Sequence, residues 1–461
     1  MSSTIALVIL GLSIPAMMGM VFVLRPATAA LVVALGAEMF LPERVFFKLP
    51  LMPELDKHNL PYLCLLVACL IRYPGRVTRL PKPRWIVVLA VTLVGGGLLT
   101  ALTNRDSLIM GGGQVYLPAL TVKDGFYMGI ANFLETFLPL YLGYALFRKP
   151  EDFERMVVGL AVASLVYVPF AMVELRLSPQ WHYWIYGYHQ HYFDQTIRWG
   201  GYRPMVFMSH GLALARFLLA GVCCASILTR YRRFVLKLPI RFVAWTLLLV
   251  LIACKSTGAI AFALVAVPLL AWVRPKRQLM VASWLAVVIV LYPALRLGGV
   301  FPAKQLLEAA GAVQSDRAES LAFRFENEDA VLERTRERIL LGWGEYDRNA
   351  IFDEWGSKTS VLDGYWIIRL SENGIVGFAT SLAPLLLPIW WSRRLLPKIS
   401  DEKNQRLVAG LAFVLALLAL DLIPNGLWAF YPFLIAGALI RRLRDLTTPA
   451  AETEHALVAT A

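Results

Sequence analysis

Arg203 directly follows Gly200-Gly201-Tyr202, at the start of an apolar run that begins at Met205, with His210 seven residues on. An arginine at such a boundary can snorkel to lipid headgroups. It can also offer a planar, permanently charged fork to a phosphate diester, which lysine matches less well. Further along, Lys255-Ser256-Thr257-Gly258 sets a cation, two hydroxyls and a glycine between two short apolar runs. A turn with free helix N-terminal N–H groups suits an anion. The stretch Arg176–Pro204 packs nine aromatics, three histidines and three arginines into 29 positions. Its Trp181, Trp184, Trp199 and Tyr202 fit either an interfacial aromatic belt or a sugar-binding platform, where ring faces stack on pyranose C–H groups. His182, His189 and His191 have no neighbouring carboxylate cluster, so no metal site is expected. Glu319–Leu340 places Leu321, Phe325, Leu332 and Ile339 at helical spacing, pairs Arg324 with Glu328 at i,i+4, and stops at Gly342-Trp343-Gly344. Asp363 stands just before an apolar run from Tyr365, where an Asp can cap a helix.

These residues need elements to hold them, and the composition defines those elements. Of 461 residues, 58% are hydrophobic and only 17% charged, against roughly 25% charged in soluble domains. The mean hydropathy is +0.60. Apolar runs of a length that crosses about 30 Å of hydrocarbon recur from Ile5 to Ile440. Lipid accepts only helices or closed barrels, and no strand alternation is present, so the expected fold is all-α, a polytopic helical bundle of about 12–13 spans. The runs are 5–24, 27–41, 60–73, 85–102, 125–146, 156–175, 205–228, 242–254, 258–272, 279–292, 365–391, 408–422 and 424–440. A soluble enzyme, a disordered chain and a disulfide scaffold are excluded. Cys64, Cys69, Cys223, Cys224 and Cys254 all lie in apolar runs and read as packing residues.

The formal net charge of +13 would raise the question of nucleic acid in a soluble protein. Here the cations cluster between apolar runs: Arg72–Arg84, Arg230–Arg241, Arg274–Arg277, Arg393–Arg406 and Arg441–Arg444. By the positive-inside rule these connections face the cytoplasm, and no nucleic acid partner is expected. Alternation then places four segments outside: 104–124, 176–204, the Lys255 turn and 293–364. The last carries nine basic and thirteen acidic residues and so lacks the inner bias. The organisation expected is a membrane region over 1–292, a large outer loop over 293–364, C-terminal spans over 365–446 and a flexible tail over 447–461. Glu38, Glu135, Glu174 and Asp421 lie in or near apolar runs, where a charge is costly and needs a cavity or a partner.

Four stretches together resemble the O-antigen ligase and O-antigen/exopolysaccharide polymerase superfamily of C-type glycosyltransferases. They are GGYRPMVFMSHGLALA (200–215), KSTGAIAF (255–262), FRFENEDAVLERTRERILLGWGEYDRN (323–349) and SVLDGYWIIRLSENGIVGF (360–378). The resemblance implies a multi-pass protein of the bacterial inner membrane whose periplasmic face transfers glycan from an undecaprenyl diphosphate-linked donor, inverting and without a metal or cofactor. It assigns diphosphate binding to Arg203, Arg324 and Lys255, with Lys255 supplying charge where Thr257 replaces an arginine often found in the family. Asp363, Glu326 and His210 are the candidates for taking the acceptor's proton. Ligases of this type tend to carry a histidine where this chain has Leu362-Asp363-Gly364, so the expectation leans toward a polymerase. The expected partners are the lipid-linked oligosaccharide, a growing polysaccharide or lipid acceptor, membrane lipid and other polysaccharide-export proteins. The alternatives are a ligase acting on a lipid or protein acceptor, and a transporter of the same lipid-linked sugar, which would show internal repeats and a midplane site.

Overall fold

The computed structural model describes residues 3–50, 52–313 and 315–447, so residues 448–461 of the expected tail lie outside the described residues. The chain is helical almost throughout. In order the helices are α1 Thr4–Val23, α2 Pro26–Phe40, α3 Leu60–Arg72, the single turn α4 Pro74–Val77, α5 Trp85–Leu102, α6 Val122–Asn132, α7 Leu138–Leu146, α8 Pro150–Leu177 and the short α9 Trp181–Tyr186. They continue with α10 Gly211–Leu228, α11 Ile240–Ala253, α12 Thr257–Trp272, α13 Pro275–Leu297, α14 Ala303–Val313, α15 Ser315–Glu337, α16 Tyr365–Leu395, α17 Glu402–Asp421 and α18 Tyr431–Asp445. Among the described residues, strands are limited to four hairpins of two or three residues per strand. Seven helices are long and apolar enough to cross a membrane (α1, α5, α8, α10, α13, α16 and α17), and four shorter apolar helices accompany them. The all-α polytopic bundle is therefore the observed architecture.

Burial sorts the helices by place in the bundle. Every residue of α10 from Ala213 to Leu228 is buried, and α17 is buried from Leu407 to Ala419, so these two form the centre. α1, α5 and α13 keep broad exposed apolar faces such as Leu12, Val91 and Trp284, the pattern of helices that face lipid. Helices of similar hydropathy gain little from lipid exclusion and rely on close packing. α7 and α18 show the device: a Cβ at Gly143 would lie 2.1 Å from Leu434 O, and one at Gly437 1.9 Å from Leu140 O.

The interhelical connections fall into two sets. At one end, Tyr141 donates to Val77 O, Arg148 to Arg76 O, and Lys403 and Arg232 both pair with Glu154, contacts that involve three of the five basic clusters. At the other, Tyr188 donates to Glu43 O, Lys57 to Phe207 O, Lys255 to Arg198 O, Arg338 to Asp106 and Arg324 to Pro424 O. This second set contains all four segments expected outside, plus 41–59 and 422–430.

Three local features differ from expectation. The apolar run from Met205 does not become helical until Gly211, and that from Pro424 not until Tyr431. Residues 205–208 are buried yet non-helical because side chains serve their backbone. Glu174 accepts from Met205 N and Val206 N, while Lys57 and Gln190 donate to Phe207 O, Val206 O and Met208 O. The loop helix α15 ends at Glu337, earlier than its apolar spacing implies, and Ile339–Gly344 runs instead into a break in α16 at Gly374. There Trp343 N donates to Ser371 O, Gly344 N to Glu372 O, Ile375 N to Ile339 O and Val376 N to Leu340 O. Gly374 has φ 64° and ψ −168°, a region essentially restricted to glycine, and a Cβ on it would lie 2.3 Å from Leu340 C.

Candidate anion site at the helix N-termini

Arg203 is 3% exposed at the end of the α10 connection, held by its own N–H donating to Thr196 O at 2.7 Å. Its Nη2 donates to Ser256 Oγ at 3.2 Å, and its buried Nε has no partner. Lys255, in the left-handed region at φ 53°, reaches back across the 176–204 segment so that Nζ donates to Arg198 O at 2.9 Å. Two glycines make room for these cations: a Cβ at Gly201 would lie 2.3 Å from Lys255 Nζ, and one at Gly211 2.5 Å from Arg203 Cδ. Three of the sequence-derived residues, Arg203, Lys255 and His210, thus meet where α10 and α12 both begin.

Among the described residues no carboxylate pairs with Arg203, Arg198 or Lys255. Burial, and then the neighbouring Arg198 charge, pull the Arg203 guanidinium down to about 10, still fully charged at neutral pH. His210 caps α10 by accepting Leu212 N at Nδ1, 3.0 Å away, and its ring stands 4.7 Å from that of His191. Burial, then Arg203 and His191, hold His210 down to about 3, so it is neutral with its proton on Nε2. It is therefore placed to donate a hydrogen bond. A buried guanidinium with no counterion among the described residues, a lysine, an imidazole N–H and the start of α12, where Ser256 makes no side-chain cap, together make a candidate anion site.

The remaining candidates lie elsewhere. Arg324 Nε and Asp363 Oδ2 form an ion pair at 3.1 Å, with side chains 36% and 44% exposed, and Arg324 Nη1 donates to Pro424 O at 3.3 Å. Asp363 does not cap α16; its N-cap is Gly364, which packs on Ile423 O, leaving Asp363 turned toward Arg324. Glu326 is exposed two positions beyond Arg324, on another face of α15, and is not brought to either group. Trp181 spends its Nε1–H on Phe170 O and packs edge-on against Phe170 and Trp184. Trp184 and Trp199 are more than half exposed, and Tyr202 is half-buried in the hairpin beside Arg203.

Each acid from the apolar runs has partners. Glu174 accepts four backbone N–H bonds. Glu135 pairs with Arg369, Glu38 with His58 at 3.5 Å, and Asp421 accepts from Asn425 and faces Arg216. Sequence reasoning passed over Arg216, Arg369 and His58. The first two are single cations inside apolar runs and were legible as intramembrane charges; His58 carries no local signal.

No protein-family model matches the chain, and no curated protein matches it.

Proposed function

We propose that this protein is a glycan transferase of the bacterial inner membrane: a polysaccharide polymerase that moves repeat units from an undecaprenyl diphosphate-linked donor to a growing chain on the periplasmic face. The observation that carries the reading is the buried Arg203, with no carboxylate paired to it among the described residues, at the start of α12 beside Lys255 and His210. A diphosphate supplies the missing negative charge. In the reaction, an acceptor hydroxyl oxygen attacks C1 of the donor glycan and the C1–O bond to diphosphate breaks with inversion. The electron pair leaves on the lipid diphosphate and the hydroxyl proton passes to a base. Arg203, Lys255 and the His210 N–H face the charge that grows on the leaving oxygen. Arg324 holds Asp363 in an ion pair, and that fixed orientation makes Asp363 the preferred base over Glu326, which stands on another face of α15, and over His210, whose Nδ1 is committed to Leu212 N. Ligase-type transfer to a lipid or protein acceptor uses the same donor site and differs only in the acceptor.

The experiment is binding of farnesyl diphosphate, followed by its stabilisation of the detergent-purified protein. The wild type should gain melting temperature, Arg203→Ala should lose most of that gain, and farnesol should give none. A shift that survives in Arg203→Ala contradicts the site.

A further inference from the structure

At the end of the bundle opposite the Arg203 site, three chain segments bring arginines together. Arg76 and Arg79 follow α3, Arg148 lies in the turn between α7 and α8, and Arg441 and Arg444 lie on the last turns of α18. Tyr144 is the hub. It donates to Lys82 O, accepts from Lys82 N at 3.2 Å and from Arg444 Nη1 at 3.0 Å, and lies under Arg441, whose Cζ is 5.6 Å from the ring centre. Arg148 Nε donates to Ala145 O at 3.1 Å, and its Nη2 reaches Arg76 O at 3.5 Å. Asp445 is the nearby carboxylate, and Arg441 Nε holds it at 3.0 Å. Among the described residues no carboxylate pairs with Arg76, Arg79 or Arg148, and the Arg76 and Arg79 side chains make no hydrogen bond. Arg76, Arg148, Arg441 and Arg444 are nevertheless half-buried. Burial, then the Arg441, Arg76 and Arg79 charges, pull the Arg148 guanidinium down to about 10 against the opposing Asp445, still fully charged at neutral pH.

We propose that this arginine group is a binding site for the phosphate headgroup of an anionic membrane phospholipid. Orientation by positive charge needs only cations on the right connections. It does not need arginines from three segments to converge, half-buried, on one another. Such convergence repels unless an anion offsets it, and guanidinium forks match phosphate oxygens. Basic pockets between helices at a membrane surface take headgroups in this way. A lipid fits better than a soluble phosphate because apolar side chains flank the arginines. Leu70 and Ile71 on the last turn of α3 are 42% and 63% exposed, and Leu80, next to Arg79, is 77% exposed. They give the acyl chains a surface continuous with the lipid-facing sides of the helices. The inference does not rest on the transferase reading.

The test adds phosphatidylglycerol, phosphatidylethanolamine with the same acyl chains, or inorganic phosphate to the full chain, delipidated in detergent. Phosphatidylglycerol should raise the wild-type melting temperature, and the other two should not. The double variant Arg76→Gln/Arg79→Gln removes side chains that make no hydrogen bond, so without lipid it should melt like wild type. It should bind phosphatidylglycerol more weakly, by roughly fivefold for each cation removed. The triple variant Arg274→Gln/Lys276→Gln/Arg277→Gln takes more charge from another basic connection and should bind like wild type, as should Arg203→Ala. The site is overturned by equal shifts with both lipids, by no shift with phosphatidylglycerol, or by unchanged affinity in the double variant. An equal loss in the triple variant would reduce the effect to overall charge, loss in Arg203→Ala would move the lipid to that site, and a shift with inorganic phosphate as large as that with the lipid would make this a site for a soluble anion; each contradicts the proposal.

Discussion

Among single residues, charges with protein partners, such as Glu174 and Arg369, differ from Arg203, whose buried Nε has none among the described residues. Arg203 has one hydrogen bond to a hydroxyl and an unpartnered Nε, so Arg203→Ala should change thermal stability little while lowering glycan transfer by about 10²–10³-fold. Transfer rates beside melting curves check both halves. Gly211→Ala reaches the same end by another route, because its Cβ would displace the Arg203 side chain; farnesyl diphosphate binding should fall although no charge is removed. The half-exposed Arg324–Asp363 pair contributes little stability, within about 1 kcal/mol, so loss of polymer in Arg324→Ala with normal folding would mark it as functional; normal polymer length would remove it from the site. Arg203 and Lys255 were legible in the sequence because each sits in a short polar interruption of an apolar run, where local composition is the signal. That Arg216 faces Asp421 was not, because the two are far apart in sequence and only helix packing makes them neighbours. Asp363 shows the opposite failure: its position before a helix suggested a cap, and a tertiary partner took it instead.

At the scale of elements, the joint between the outer loop and α16 is the least regular part of the molecule. Four backbone bonds tie 339–344 to 371–376 across the break at Gly374. Gly374→Ala should destabilise by roughly 1–3 kcal/mol from backbone conformation alone, with the contact on Leu340 adding to it; the melting temperature in detergent reads this directly. Beside the joint, Glu345 is pushed up to about 7 by burial and then by the Glu135 carboxylate, against an ordinary 4.5, with Arg369 opposing. The folded protein therefore holds a proton on Glu345 that the unfolded chain releases near pH 4.5. That contribution to stability is fully present below about pH 4.5 and is lost as pH rises through about 7. Melting temperature should fall over that window in wild type and fall less in Glu345→Gln; equal slopes would show that Glu345 does not titrate there. The helices themselves were largely legible, since every expected apolar run overlaps at least one. The late starts of α10 and α18 and the break in α16 were not, because hydropathy records burial and cannot tell a buried helix from a buried loop whose backbone is served by Glu174, Lys57 and Gln190.

At the scale of the whole molecule, the contacts divide the connections between two ends, and the cationic clusters share one of them. If that end faces the cytoplasm, single cysteines placed at exposed Pro424 or Trp199 should react with an impermeant maleimide in intact spheroplasts, and one at Arg233 only after lysis. The reverse pattern would invert the molecule and put the Arg203 site on the wrong side for a periplasmic polymerase. The central claim is that the protein makes glycosidic bonds using fixed cations against a lipid diphosphate. The most direct test is to reconstitute purified wild type and Arg203→Ala in liposomes with undecaprenyl diphosphate-linked repeat units and EDTA, then size the lipid-linked products. Wild type should give longer glycans and Arg203→Ala none. Unchanged glycan length, with lipid-linked sugar moved across the bilayer, would make the protein a transporter and rule out the transferase.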